Sequence, residues 1–449
     1  MALRDSESIF RWYEQVAPAA LFRLLQRDLV WKTRAGIFTA RVVLWMMMMQ
    51  RLQPRGSLAS SVAQLVEGRF DPVLSACKRV RDKNIASSTG GYCQARQHLP
   101  KLLVSRVMNE SMERLRQRLL ESEPESSRRV YLLDGSSLQL EHEAELVRAY
   151  PPGSNQHGRS HWPVLRIVVL HDLRTGLAER PYWGPMYGRK AVSEQGLAQH
   201  AMTHVPAGAV IVGDRNFGIF FTAYGAREAG HETIVRLTAV RAKRLVGGEI
   251  AQPGDYAVCW RASRWDGRKK GQPQAPPWPE GASVAGRLIA SRVGRGKHKQ
   301  WLYLFTTTSL PAEKVVALYG RRWRIETDLR CLKQTVHLSR INAHSEDLME
   351  KELLVAVMAY NLVRAVMFQA AQRASIDPRQ LSFTYASQIV LDSYPDILAA
   401  STAKQREQKL ERMIELVARC RLPRRTKRRS YPREIWGRGF CFPTRKEKN

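Results

Sequence analysis

Three short apolar runs constrain this chain more than any other feature. Val130-Tyr131-Leu132-Leu133 ends at Asp134-Gly135, Leu165 to His171 runs into a turn at Asp172 to Gly176, and Ala209-Val210-Ile211-Val212-Gly213 ends at Asp214. Runs of this length bounded by turn residues read as buried strands. Ser193 to Met202 reads as a helix between the second and third. Strands interleaved with a helix predict a mixed α/β sheet. Two of these strands end in a carboxylate, a position where side chains converge in an α/β sheet without long loops. Taken singly, each Asp reads as a turn or cap residue, and Asp134-Gly135 is a favourable turn dipeptide.

The regions around this core differ in texture. Residues 1–125 read as a helical N-terminal region, with helix-compatible runs at Ile37 to Leu52 and Lys101 to Leu120 and a short basic helix at Cys93 to His98. A core, 126–239, is interrupted at 240–300 by a Gly/Pro-rich segment with thirteen basic and four acidic residues. Short alternating runs there, such as Tyr256-Ala257-Val258-Cys259-Trp260, predict a β-rich insertion. The core resumes over 301–375 with a strand from Trp301 to Thr306, a long helix from about Ala312 to Val336 and an apolar helix from about Leu348 to Ala371. The end, 376–449, is helical and basic, with eleven basic and two acidic residues after position 420.

At 449 residues with 44% apolar content the chain can bury a sizeable core, and its length suits two to four domains. The formal net charge of +31 demands a polyanionic partner. Nucleic acid comes first, because Lys and Arg contacts to phosphate release counterions and give affinity for any sequence; an anionic membrane surface comes second. No basic stretch followed by an apolar run marks a signal peptide, and the apolar stretch Val42 to Met49 is too short to span a bilayer. The six cysteines show no metal-ligand or disulfide spacing. A reduced chain in the cytoplasm, on the nucleoid when bound to DNA and not in a membrane, is the expectation.

The chemistry concentrates on the helix around Glu326. At 100° per residue, with Tyr319 at 0°, Arg322 falls at about 300°, Glu326 at about 340° and Lys333 at about 320°. Leu318, Ile325, Leu329 and Leu332 form an adjacent apolar stripe. Such a helix can bury one side and present a carboxylate among two cations and a phenol. Alone, Arg322 and Glu326 would be an ordinary i,i+4 surface pair. With Asp134 and Asp214 they complete three carboxylates from two strands and a helix. Such a set suits two Mg²⁺ ions, which take oxygen ligands and catalyse phosphoryl transfer in pairs.

The spacing Tyr319-x2-Arg322-x3-Glu326-x6-Lys333 resembles the Y-x2-R-x3-E-x6-K motif of the DDE transposases of bacterial insertion sequences. It is similar to the branch whose RNase H-like domain is interrupted by a β-rich insertion. Leu133-Asp134-Gly135-Ser136-Ser137 and Gly213-Asp214-Arg215-Asn216-Phe217 resemble the blocks around the family's two aspartates. Gln94-Ala95-Arg96 and Ser430-Tyr431-Pro432-Arg433 also look familiar. The resemblance implies that Asp134, Asp214 and Glu326 are catalytic metal ligands for two Mg²⁺, with Mn²⁺ able to substitute. It implies that Tyr319, Arg322 and Lys333 bind DNA phosphates. Trp301 matches a position where some members stack a flipped base, and equally suits a core-edge strand residue. The implied activity is cutting the inverted-repeat ends of a mobile element and joining them to target DNA, on double-stranded DNA paired by a homodimer.

Two other patterns read as structural. His337-Leu338-Ser339-Arg340 with downstream Tyr360 has the outline of a tyrosine recombinase, but Tyr360 lies in an apolar run. His157, His161 and His171 read as loop or core histidines. The alternatives to a transposase are a structure-specific nuclease on a similar core, or a transposase-derived DNA-binding protein without activity.

Overall fold

The apolar runs pair into one sheet. The computed structural model describes residues 36–54, 56–69, 77–120, 128–156, 158–262, 279, 281–294 and 299–423. Residues 1–35, the Gly/Pro-rich 263–278, His157, Cys441 and the basic end from 424 onward, with Ser430-Tyr431-Pro432-Arg433, lie outside the described residues. The N-terminal part is helical, with α1 (Ala40–Leu52), α2 (Leu58–Val66), α3 (Lys78–Arg81), α4 (Gly90–His98) and α5 (Lys101–Leu120). There follow β1 (Val130–Gln139), α6 (Ala144–Ala149), β2 (Ser154–Asn155), β3 (Gly158–Arg159), β4 (Val164–Asp172), β5 (Tyr182–Pro185), α7 (Glu194–Met202) and β6 (Val210–Gly213). Next come α8 (Phe220–Glu228), β7 (Glu232–Arg236), α9 (Ala239–Val246), β8 (Gly254–Arg261), β9 (Ser283–Val293) and β10 (Gln300–Thr306). The last elements are α10 (Ala312–Gly320), α11 (Arg324–Arg330), a π-helical turn (Cys331–Thr335), α12 (Glu346–Arg373), α13 (Phe383–Leu398) and α14 (Ala403–Arg419).

The eight-stranded sheet has the order β5-β4-β1-β6-β7-β10-β9-β8. β4 is antiparallel to both β1 and β5, while β1, β6 and β7 run parallel. This is the RNase H-like arrangement. The segment 240–300 supplies β8 and β9, which continue the same sheet past β10. Alternate residues feed two cores, one on each face. Leu132, Val210 and Val212 face the helices led by α12, whereas Leu133 and Ile211 face α7 and α8. Both faces are covered, so the strands read as unbroken apolar runs.

Helix α12 is long and apolar enough to cross a membrane, but 94% of its most apolar window is buried inside the protein. It carries the buried ionic anchors of the fold. Glu352 takes Arg51 of α1 and Arg96 of α4, and all three side chains are buried. Asp328 of α11 lies fully buried against Arg364 of α12, 2.5 Å away, and against Arg379. Burial alone would raise both carboxyls, but the paired guanidiniums outweigh it and hold both below their usual range. Tyr360 belongs to the same cluster, donating to the carbonyl of Gly176 at 2.9 Å and accepting from Arg364 Nε at 2.8 Å. It is a core residue. His171 packs edge-on to Tyr360, and burial pushes its pKa down to about 4.

The helix expected from Ala312 to Val336 is broken. After Gly320 the backbone tightens into i→i+3 bonds, Arg321 to Leu318, Arg322 to Tyr319 and Arg324 to Arg321. Gly in a helix interior favours such an interruption. A second departure follows at the π-helical turn, where the Val336 N–H reaches the Cys331 carbonyl.

Removing a buried carboxylate leaves two guanidiniums unpaired. Asp328→Ala and Glu352→Ala should each cost about 3–5 kcal/mol in denaturant unfolding. A loss under about 1 kcal/mol would contradict the anchor assignment. Between pH 6.5 and about 4 the unfolded chain binds a proton at His171 that the folded chain refuses, so stability should fall with pH there. The fall should be shallower in His171→Phe.

Candidate active site

The register of the parallel strands builds the site. Leu133 pairs with Gly213, and Gly213 with Val235. The next residue on each strand is Asp134, Asp214 and Arg236, so two carboxylates and a guanidinium stand in a row along the sheet's carboxyl ends. Asp134 lies within β1 rather than after it, because β1 continues to Gln139 along β4. Alternation aims it to the face of Leu132, where α11 packs on β1. Burial and the charge of Asp214 raise its pKa to about 6, against the Gly135 N–H and Arg322, which favour the ionised form.

Arg322 joins these strands to Glu326. Its guanidinium lies 3.0 Å from Glu326 Oε1 and 3.8 Å from Asp134 Oδ2. Burial disfavours its charge, but Tyr319, Glu326, Asp134 and Asp214 more than offset this and raise its pKa. Tyr319 is half-buried; burial raises its phenol, with Arg322 and Arg236 pulling it down and Asp214 pushing it up. Lys333 donates to Ser136 Oγ at 3.1 Å and to the Ser137 carbonyl at 3.2 Å, just beyond Asp134 on β1. Tyr319, Arg322, Glu326 and Lys333 therefore gather around the strand ends despite the broken helix. Trp323, 57% exposed, stands at the turn between α10 and α11.

Trp301 sits at the start of β10, which is antiparallel to β7. Since Leu304 pairs with Arg236, Trp301 lies three residues farther toward the carboxylate end, roughly 10 Å along the strand. Its ring stacks on Tyr303 at 5.7 Å between centroids, and Arg292 lies over it at 4.7 Å. It is partly buried against the core on the α8 face.

Two residues that sequence reasoning passed over also belong here. Arg236 closes β7, but a lone Arg after Ile-Val gives no signal without the strand register. Glu194 opens α7, where it looks like an ordinary first-turn acid, yet its charge acts on Asp134 and its carboxylate accepts from Asn216 Nδ2. His161 stacks on His142, and the His337 carbonyl accepts from Arg51 at 3.0 Å.

Among the described residues, no three His, Cys, Asp or Glu side chains stand close enough together to hold a metal ion. Asp134 and Asp214 are nevertheless neighbours, and the charge of Asp214 raises the pKa of Asp134. Oxygen donors that repel one another fit a hard divalent cation. Glu326, half-exposed and tied to Asp134 only through Arg322, is the third donor at hand.

Residues 125–362 match the family described as the transposase DDE domain. Over 329 residues the chain is 27% identical to Transposase InsG for insertion sequence element IS4 of Escherichia coli (strain K12), a match spanning 71% of this chain and 70% of that protein. The solved piggyBac transposase synaptic complex with hairpin DNA matches 91% of this chain and 85% of its own, with a TM-score of 0.44 and 11% identity. The family match takes in more than half of the chain and all of the strand ends described above, and the protein belongs to the DDE transposases of insertion sequences, enzymes that cut DNA and transfer its strands.

Proposed function

We propose that this transposase cuts the inverted-repeat ends of its own element and joins them to target DNA at the site formed by Asp134, Asp214 and Glu326. The observation that carries this reading is that Asp134 and Asp214 each follow a paired position on adjacent parallel strands, with Arg322 linking Asp134 to Glu326. Use of divalent metal comes with the family. The finer reading is that these three carboxylates hold two Mg²⁺, or Mn²⁺. When bound, such ions stabilise the attacking and the leaving oxygens of an in-line displacement at phosphate.

The chain's own residues supply the rest. Arg322 offers a planar fork to a phosphate and Lys333 a point charge. Tyr319, with its phenol kept protonated by burial, donates a hydrogen bond. Arg236 adds a cation at the next strand end. Trp301 offers an aromatic surface at the same end of the sheet for an extruded base. Cleavage and joining both attack phosphorus in line, so one set of groups serves both steps. Pairing of two element ends calls for a homodimer, each copy holding one end.

Asp214→Ala should abolish cleavage of a labelled end while leaving gel-shift binding of that end intact. Cleavage at near wild-type rate in Asp214→Ala would overturn the site assignment. Lys333→Ala should weaken binding of a cleaved end and flatten the salt dependence by about one counterion; an unchanged slope would make Lys333 a purely structural partner of Ser136.

Acid titration gives a further check. The folded chain holds a proton on Asp134 up to about pH 6, whereas an unfolded Asp releases it near 3.9. At pH 7 the ionised carboxylate therefore opposes folding, and Asp134→Asn should be more stable than wild type without added cation, by on the order of 1–3 kcal/mol. This gain should vanish as pH falls from 6 to 4. Mg²⁺ should raise the melting temperature of the wild type and not of Asp134→Asn. A gain that persists at pH 4 would contradict the assignment.

A further inference from the structure

We propose that Glu194 is a positioning residue for this site, clasping the two aspartate-bearing strand ends from the α7 side of the sheet. The inference rests on the reading of Asp134 and Asp214 as cation ligands.

Three contacts carry it. Asp214 Oδ1 accepts the backbone N–H of Asn216 at 2.8 Å, which closes a small turn and fixes the carboxylate. That turn is held from outside by α7. The Glu194 carboxylate accepts from Asn216 Nδ2, and Gln195 Nε2 donates to the Asn216 carbonyl at 3.0 Å and to its side-chain oxygen at 2.9 Å. Both polar atoms of the Asn216 side chain are thus engaged by successive residues of one helix. Ser193 caps that helix by accepting the Gly196 N–H at 3.0 Å, so its first turn is anchored.

The third contact is steric. Glu194 lies directly against Gly135, the residue after Asp134. A Cβ at position 135 would stand 2.8 Å from Glu194 Cδ and 2.9 Å from Oε1. Gly135 lies on the strand face opposite to Asp134, since successive side-chain positions alternate. Glu194 therefore packs on the back of the Asp134 strand while its carboxylate holds the Asp214 turn. The contacts through which it acts are Asn216 and the backbone at 135. Groups that hold metal-ligating carboxylates in place typically contribute 10–100-fold to cation affinity.

The charge of Glu194 disfavours the ionised form of Asp134, so a positioning role rests on its hydrogen-bond acceptor, and the conservative variant should rescue. Mn²⁺ binding to the full chain, followed by electron paramagnetic resonance of free Mn²⁺, reads the effect without turnover. Glu194→Ala should weaken Mn²⁺ binding by roughly 10-fold or more, and Asn216→Ala should do the same, with the double variant no worse than either single one. Glu194→Gln should restore binding to within about twofold, because its amide oxygen still accepts from Asn216. Gly135→Ala, which displaces Glu194 without altering it, should reproduce the Glu194→Ala defect. Far-ultraviolet circular dichroism and gel-shift binding of an uncut end report whether each variant is folded. Glu194→Gln as damaging as Glu194→Ala would overturn the positioning role in favour of direct charge. Unaltered Mn²⁺ binding in Glu194→Ala, with binding lost in Asp214→Ala, would overturn it outright. Unaltered binding in Asp214→Ala would instead strike at the underlying site.

Discussion

The buried negative charge of Asp328 is the constraint on which the site depends. It sits two residues after Glu326 on the same short helix, fully enclosed, with Arg364 and Arg379 as partners. An isolated carboxylate could not remain ionised there; two guanidiniums make it tolerable and make its position non-negotiable. Arg364 also holds Tyr360, and Arg379 reaches the carbonyls of Asp172 and Leu173 at the end of β4. One cluster thus fixes α11 against α12 and against the sheet. Glu326 and Arg322 inherit that placement.

The same device anchors the N-terminal helices. Glu352, 24 residues along from Asp328, draws Arg51 and Arg96 onto α12, while Lys351 donates to the carbonyls of Gln97 and Leu99 at 2.8 and 2.9 Å. A basic chain can satisfy each buried acid with two arginines. Because such pairs demand specific geometry, they select one packing of α12 among the many that its apolar surface would allow, at little net gain in stability. This also explains how a helix so apolar can carry a buried Lys, Glu, Asn and Arg among its aliphatic residues.

Much of this arrangement was legible in the sequence, for physical reasons. Strands buried on both faces must be apolar at every position, so β1, β4 and β6 announce themselves, and an Asp that ends such a run stands out. The spacing of Tyr319, Arg322, Glu326 and Lys333 carried the family. What remained hidden depends on pairing between distant segments. No local pattern tells that Gly213 sits beside Val235, and so nothing singles out Arg236. Glu194 is indistinguishable from an acid placed to suit a helix dipole until Gly135 and Asn216 are seen around it. Asp328 falls off the apolar stripe on a helical wheel, and its burial follows from arginines 36 and 51 residues away.

The broken helix shows why a correct motif can be read on a wrong geometry. A straight helix from Ala312 to Val336 would place Tyr319, Arg322, Glu326 and Lys333 on one margin by regular 100° steps. In the structure the tightened backbone after Gly320 separates Tyr319 from Glu326, and the π-helical turn, with wider spacing of its bonds, lies between Glu326 and the end of the segment. The first departure contains Arg322 and runs on to Glu326 in the first turn of α11, the second contains Lys333, and Asp328 lies in α11 between them. Lys333 lies inside the π-helical turn and reaches β1 beyond Asp134, at Ser136 and Ser137. Single π-turns cost helical hydrogen-bond regularity and persist mainly where a side chain must be re-aimed. Here the re-aimed side chain sets a cation past Asp134 along β1, while Arg322 sets one on the side of Glu326. Asp134 therefore lies between a cation farther along its own strand and one that bridges to Glu326.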